Sequence, residues 1–106
     1  MEDCMEERPV YEGQGMKFAL DIASPGFSMD DDDFELEVSN ESNGRKLKIA
    51  KTDMLVRDDG TYIFTVDTKK TGRGSLVLTT TAYVPDTDFD GGIRVEIDKK
   101  ELCRVK

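Results

Sequence analysis

The sequence predicts an all-β chain, an immunoglobulin-like two-sheet sandwich of about seven short antiparallel strands, and three observations carry that prediction. Apolar and polar residues alternate along most of the chain, which is the period of a strand with one face buried. Gly, Pro, Asn and Asp punctuate the alternation at intervals of about ten residues. No stretch of about ten or more residues carries the 3.6-residue period of an amphipathic helix. An open barrel is the competing architecture.

The elements follow in order. Met16, Phe18, Leu20 and Ile22 share one face of a first strand, and Lys17, Ala19 and Asp21 the other. Ser24-Pro25-Gly26 ends it, because proline fixes φ and glycine tolerates a positive φ. Phe34 to Val38 alternates again, and the polar loop Asn40 to Gly44 joins it to Lys46 to Ile49 as a hairpin, with Asn43-Gly44 at the tight part. Lys51 to Leu55 reads as a single helical turn capped by Thr52 or Asp53, leading into Val56-Arg57. Asp59-Gly60 is a two-residue hairpin signal. In the strand after it Tyr62, Phe64 and Val66 point inward, with Ile63 outside under partial cover. Beyond Gly72 and Gly74, the run Ser75 to Val84 holds Val77 and Thr79 to Thr81, whose branched side chains suit a pleated surface, and is expected to be a central strand. After the polar loop Pro85 to Gly92, Ile93 to Asp98 alternates with Ile97 expected inward, and Leu102 to Val105 closes the chain. The resulting division is a flexible N-terminal arm at 1–15 and one β-sandwich domain at 16–106.

Composition narrows the function. A chain of 106 residues has room for one core, so a deep cleft is hard to build. Its 23 acidic against 15 basic residues leave a net charge of -8, which repels phosphate backbones, and no Lys/Arg stripe interleaved with aromatics overrides it. Nucleic acid is therefore not an expected partner. The basic clusters Arg45-Lys46-Lys48-Lys51 and Lys69-Lys70-Arg73 read as strand-edge and loop charges that blunt edge pairing, or as a docking patch for an acidic protein. No apolar run approaches the ~20 residues that span a bilayer, so no membrane is expected. The opening Met1 to Glu7 is acidic where a signal peptide is basic, and export by the general route is not expected. Cys4 and Cys103 do not make a disulfide framework; they read as two thiols in a reducing compartment, or as one bond clipping the arm to the domain.

Histidine is absent, which removes the commonest general base near neutral pH and the Ser-His-Asp and Cys-His arrangements. Carboxylate pairs are plentiful, but glycoside chemistry also needs an aromatic-lined cleft, and the chain has no Trp, three Tyr and five Phe. No phosphate-cradling glycine loop is present. A non-enzymatic protein is expected. The sharpest candidate site is Asp86-Thr87-Asp88-Phe89-Asp90-Gly91, whose alternate carboxylates resemble the opening of a Ca2+ loop. The position that should hold the closing bidentate Glu is Ile97. Asp86, Asp88 and Asp90 are thus either weak Ca2+ ligands or the turn-formers of a polar hairpin; no other cofactor is indicated. The acidic quartet Asp30 to Asp33 adds ligands if it lies at the same end of the sandwich, and Asp58-Asp59 belongs to another turn. In the N-terminal segment Pro9, Val10 and Tyr11 precede Gly13 and Gly15, and read as a tail or as an arm that anchors on a neighbouring subunit.

Ser24-Pro25-Gly26-Phe27-Ser28-Met29, Asp59 to Phe64, Ala82 to Phe89 and Gly92 to Glu96 together resemble small uncharacterised β-sandwich proteins of gut Bacteroidetes phages and mobile elements, over about Met16 to Val105. The resemblance implies a virion component associated with a tail, baseplate, connector or fibre, made in the bacterial host cytoplasm, whose partners are other virion or element-encoded proteins or copies of itself. It carries over no functional residue. The alternative is a module that binds glycan or another surface polymer, with weak calcium binding at the Asp86 loop.

Overall fold

A computed structural model of the chain describes residues 10–106. Seven strands form two antiparallel sheets: β1 (Gly15–Leu20), β2 (Phe34–Asn40), β3 (Lys46–Ala50), β4 (Leu55–Val56), β5 (Tyr62–Asp67), β6 (Gly74–Pro85) and β7 (Ile93–Val105). One sheet runs β1-β5-β4 and the other β3-β2-β6-β7. The all-β two-sheet sandwich expected from the alternation is the architecture the chain builds. Its connectivity is its own: β2 stays beside its hairpin partner β3, whereas in an immunoglobulin constant domain the second strand joins the first, fourth and fifth.

The core lies between the sheets. Phe34, Leu36 and Val38 of β2 and Leu76, Leu78, Ala82 and Val84 of β6 point down from the larger sheet. Tyr62, Phe64 and Val66 of β5 with Met16 of β1 point up from the smaller one. Each Val, Leu, Phe or Met among them contributes about 1.5–3 kcal/mol when fully buried. Tyr62 ties the layers together by meeting Phe34 edge-on at 5.6 Å; Phe27 meets Phe34 at 6.1 Å, and within the smaller sheet Phe18 stacks on Phe64 at 5.3 Å. Central position suits β6, which is paired on both edges and buries every second residue.

Turns depart from expectation in instructive ways. Pro25-Gly26 makes the expected reversal, with Gly26 at φ 82° and the Phe27 N–H donating to the Ser24 carbonyl. The turn at Lys51–Asp53 is 3₁₀, and Asp53 closes it by accepting from the Ala50 N–H at 3.0 Å rather than by capping its first residue. The β4–β5 hairpin closes at Arg57 and Thr61, so its loop is Asp58-Asp59-Gly60, three residues rather than two. Gly60 takes the positive φ, and the Asp59 carboxylate accepts from the Thr61 N–H. Ile63, expected to be partly covered, is 6% exposed between Ala19 and Leu55 of its flanking strands. A one-turn helix, α1 (Thr68–Thr71), carries the chain from β5 to β6, with the Asp67 carboxylate accepting from the Lys69 N–H.

The sheet end near α1 is closed by one buried amide. Asn40 is 1% exposed; its Nδ2 donates to the Thr71 and Arg73 carbonyls, and its Oδ1 accepts from the Ser42 and Asn43 N–H groups. The chain returns over it at Gly74, where φ is 131° and a Cβ would sit 2.5 Å from Asn40 Oδ1 and from Ser42.

β7 is a single strand of 13 residues, with a bulge at its far end. Leu76 faces Cys103 while Val77 faces Glu101, so Leu102 is the extra residue. Leu102, Cys103 and Val105 are all buried. The insertion inverts the alternation: Ile93, Val95 and Ile97 lie across from Pro85, Tyr83 and Thr81 on the outer face and are 42%, 53% and 63% exposed. The inward assignment of Ile97 is thereby corrected.

Replacing Asn40 with Ala is expected to lower the unfolding free energy by about 1–3 kcal/mol, because it removes four hydrogen bonds made by a buried amide, and of the groups they join only the Thr71 carbonyl keeps another side-chain donor, Asn43 Nδ2. Gly74→Ala is expected to destabilise at least as much, and urea titration of the two variants checks both.

Candidate functional site

Among the described strands β7 is the outermost of its sheet, and its backbone phase is set by the turn that starts it. The Asp86 N–H donates to the Gly92 carbonyl at 2.9 Å, which makes 86 and 92 a hydrogen-bonded pair. Antiparallel ladders alternate, so Arg94, Glu96 and Asp98 direct their N–H and C=O groups to β6. Ile93, Val95 and Ile97 direct theirs away from it. Pro85, which has no N–H, sits opposite Ile93 where no ladder bond is required. Among the described residues the edge at Ile93 to Lys99 is paired with nothing, and its side chains form an exposed apolar row beside the half-buried Tyr83 and Thr81. Burial and the neighbouring Glu35 carboxylate hold the Tyr83 hydroxyl above its ordinary pKa.

The inner side of the same stretch is charged. Arg94 Nη1 is ion-paired with Asp86, its Nε donates to Glu96 Oε2 at 2.7 Å, and its Nη2 donates to the Pro25 carbonyl at 2.9 Å. These bonds hold the β6–β7 turn against the β1–β2 connection. Below them a groove of about 290 Å³ opens between the two sheets, lined by Leu20, Ile22, Thr80, Ala82, Glu96 and Lys100. No aromatic ring lines it.

The Asp86 loop is built from its own hydrogen bonds. Asp86 Oδ1 accepts from the Asp88 N–H at 3.0 Å and Oδ2 takes Arg94, and these contacts in that order hold the Asp86 carboxyl below its ordinary pKa. Asp88 and Asp90 are exposed to solvent. Among the described residues no three acidic or thiol side chains come together in a group that could hold a metal ion. The other acidic segment is also occupied. Asp30 Oδ1 accepts from the Tyr62 hydroxyl, Asp32 Oδ2 from the Ser28 N–H, and Lys51 Nζ donates to the Asp30 and Asp32 carbonyls while lying 5.5 Å over the Phe34 ring. Lys51 thereby ties this segment down, and its sequence neighbours give no signal of it. Arg73 pairs with Glu12 at the surface, 3.2 Å apart.

The N-terminal segment divides at its described boundary. Pro9 and Cys4 lie outside the described residues, and with them any pairing of Cys4 to Cys103. Val10 is 3% exposed and bridges Val105 in parallel within its own chain. The Glu12 N–H donates to the Lys106 carbonyl, and Thr68 Oγ1 accepts from the Gly13 N–H at 2.8 Å and donates to the Gln14 carbonyl at 2.7 Å. Val10 therefore packs on its own domain. Tyr11 stands 56% exposed beside it. Cys103 Sγ lies 3.3 Å from Met16 Sδ in the core.

No protein-family model matches the chain, and no curated protein or solved structure aligns with it.

Two outcomes follow for the loop. The folded Asp86 carboxyl binds its proton less tightly than the unfolded one, so its contribution is present above the ordinary carboxylate pKa of about 4 and fades as pH falls through the lower folded value. The melting midpoint of Asp86→Asn is accordingly expected to lie below wild type at pH 7, with the gap closing in acid. With Asp86 committed to Arg94, millimolar Ca2+ is expected to leave the midpoint unchanged; a rise abolished by Asp88→Ala would overturn that.

Proposed function

We propose that the chain is a non-enzymatic assembly protein, a virion component that works by joining its outer β7 edge to another protein. The observation that supports the reading is the outward row Ile93, Val95 and Ile97 on a strand whose backbone donors and acceptors at those residues meet no partner among the described residues. An unpaired apolar edge is a template for strand addition, and soluble proteins ordinarily blunt it. Here the core gains nothing from the three side chains, and no element of the described fold covers them. Placement in a virion comes from the resemblance carried by Ser24 to Met29, Asp59 to Phe64, Ala82 to Phe89 and Gly92 to Glu96. The absence of an aromatic ring from the groove beneath β7 weighs against a sugar-stacking site as the main activity.

The chain is expected to co-purify with the particles of its encoding element on a density gradient at fixed stoichiometry. Ile97→Lys should leave thermal stability within about 0.5 kcal/mol, as for other exposed sites. It should nonetheless reduce the incorporated amount by at least about tenfold, the equivalent of 1.4 kcal/mol of contact free energy. Absence of the wild-type chain from the particles would sink the virion reading.

A further inference from the structure

The edge of β7 is complementary to itself in one register. Two copies can pair edge to edge and antiparallel about a two-fold axis only if residues that direct their backbone groups outward face each other, so the axis must pass through a residue rather than between two. Passing it through Arg94, Glu96, Asp98 or Lys99 sets that charge against its own copy. Through Ile93, Glu96 would face Asp90 and Arg94 only Gly92; through Ile97, Arg94 would face Lys100 and Glu96 would face Asp98. Through Val95, every pair is favourable. Val95 meets Val95, Ile93 meets Ile97, and on the inner face Arg94 meets Glu96 twice. Each of the three outward pairs then exchanges two N–H···O=C bonds.

We propose that a second copy of this chain docks on β7 in that register, joining the two four-stranded sheets into one continuous sheet. The inference rests on the reading of β7 as an assembly surface and names its occupant. Arg94 is equipped for it: three of its five N–H donors are used by Asp86, Glu96 and Pro25, and each terminal nitrogen keeps one N–H for the second copy's carboxylate. Lys99 and Lys100 fall opposite Gly91 and Asp90 of the second copy, beyond the start of its strand. The lysines therefore border the paired stretch instead of interrupting it, and they disfavour slippage along the edge.

The test uses the purified chain. In a Cys4→Ser background, Val95→Cys is expected to form a covalent dimer under mild oxidation, since facing Cα atoms in such a pair lie about 5.5 Å apart, within disulfide reach. Lys99→Cys should not, its two copies being more than about 20 Å apart along the strand. Arg94→Glu alone and Glu96→Arg alone should each lose the dimer by light scattering, and an equimolar mixture of the two should regain it. Circular dichroism establishes that each variant folds, and if Arg94→Glu does not, the cysteine pair decides. A covalent dimer from the Lys99→Cys variant and none from Val95→Cys, or a mixture of folded variants that stays monomeric, overturns the register. A chain that is monomeric at every concentration yet enters particles through β7 overturns the second-copy inference and leaves the assembly reading standing. One that pairs about Val95 but never enters particles does the reverse.

Discussion

A single inserted residue, Leu102, governs which side of the last strand meets the core. Apolar residues occupy odd positions at both ends of β7, at Ile93, Val95 and Ile97 and again at Cys103 and Val105. An unbroken strand would send both sets to the same face. The bulge admits Leu102, Cys103 and Val105 to the core and turns the earlier set out. The far end takes the inside because it has something to pack on: Met16 lies against Cys103, and Val10 bridges Val105. At the near end β1 stops at Leu20, leaving an open groove where Glu96, Asp98 and Lys100 can stay hydrated. The chain closes its core at one end of β7 and leaves an apolar row exposed at the other.

The acidic segments follow the same logic of partners. With a net charge of -8, loops of clustered carboxylates would repel one another. They are held by groups already within the fold: the Tyr62 hydroxyl, the Lys51 ammonium, the Arg94 guanidinium and neighbouring N–H groups. Burial chiefly, and then the bond to the Asp30 carboxylate, hold the Tyr62 hydroxyl in its protonated, donating form. The Asp32, Asp59 and Asp86 carboxylates thus serve as turn closures.

What was legible in the sequence follows from the range of the interaction concerned. Strands β1, β2, β3, β5 and β6 were legible because their alternation is local and their faces are set by one core. The Pro25-Gly26 turn and the Asn43-Gly44 loop were legible because backbone strain is local too. Parity in β7 was not, since the residue that inverts it looks like any other leucine until β6 is beside it. Nor was the anchoring of Val10, which depends on Val105 at the opposite end of the chain, or the task of Lys51, which depends on Asp30 and Asp32. Of the residues singled out for function, Asp86 found an ion-pair partner that lies eight positions ahead on the neighbouring strand, and Asp88 and Asp90 found no common centre. The surface that draws attention instead was hidden by being read as core.

An apolar row on an open edge is a hazard unless something restricts what can pair with it. Non-specific addition of strands is favoured by long, flat, uncharged edges. Here the exposed row is only three side chains long, is flanked by Lys99 and Lys100, and ends at a turn locked by Arg94. Long-range repulsion between acidic copies is screened beyond about 8–10 Å at ordinary ionic strength, so it slows encounter without deciding the contact. At contact distance the stretch Ile93 to Ile97 is neutral, one cation beside one anion, on a molecule that is otherwise strongly negative. A strand whose own charge order differs meets like charge or a lysine at most registers. The features that would let β7 take a partner strand, as proposed, therefore also limit the registers open to it, which an assembly contact requires and an aggregating edge lacks.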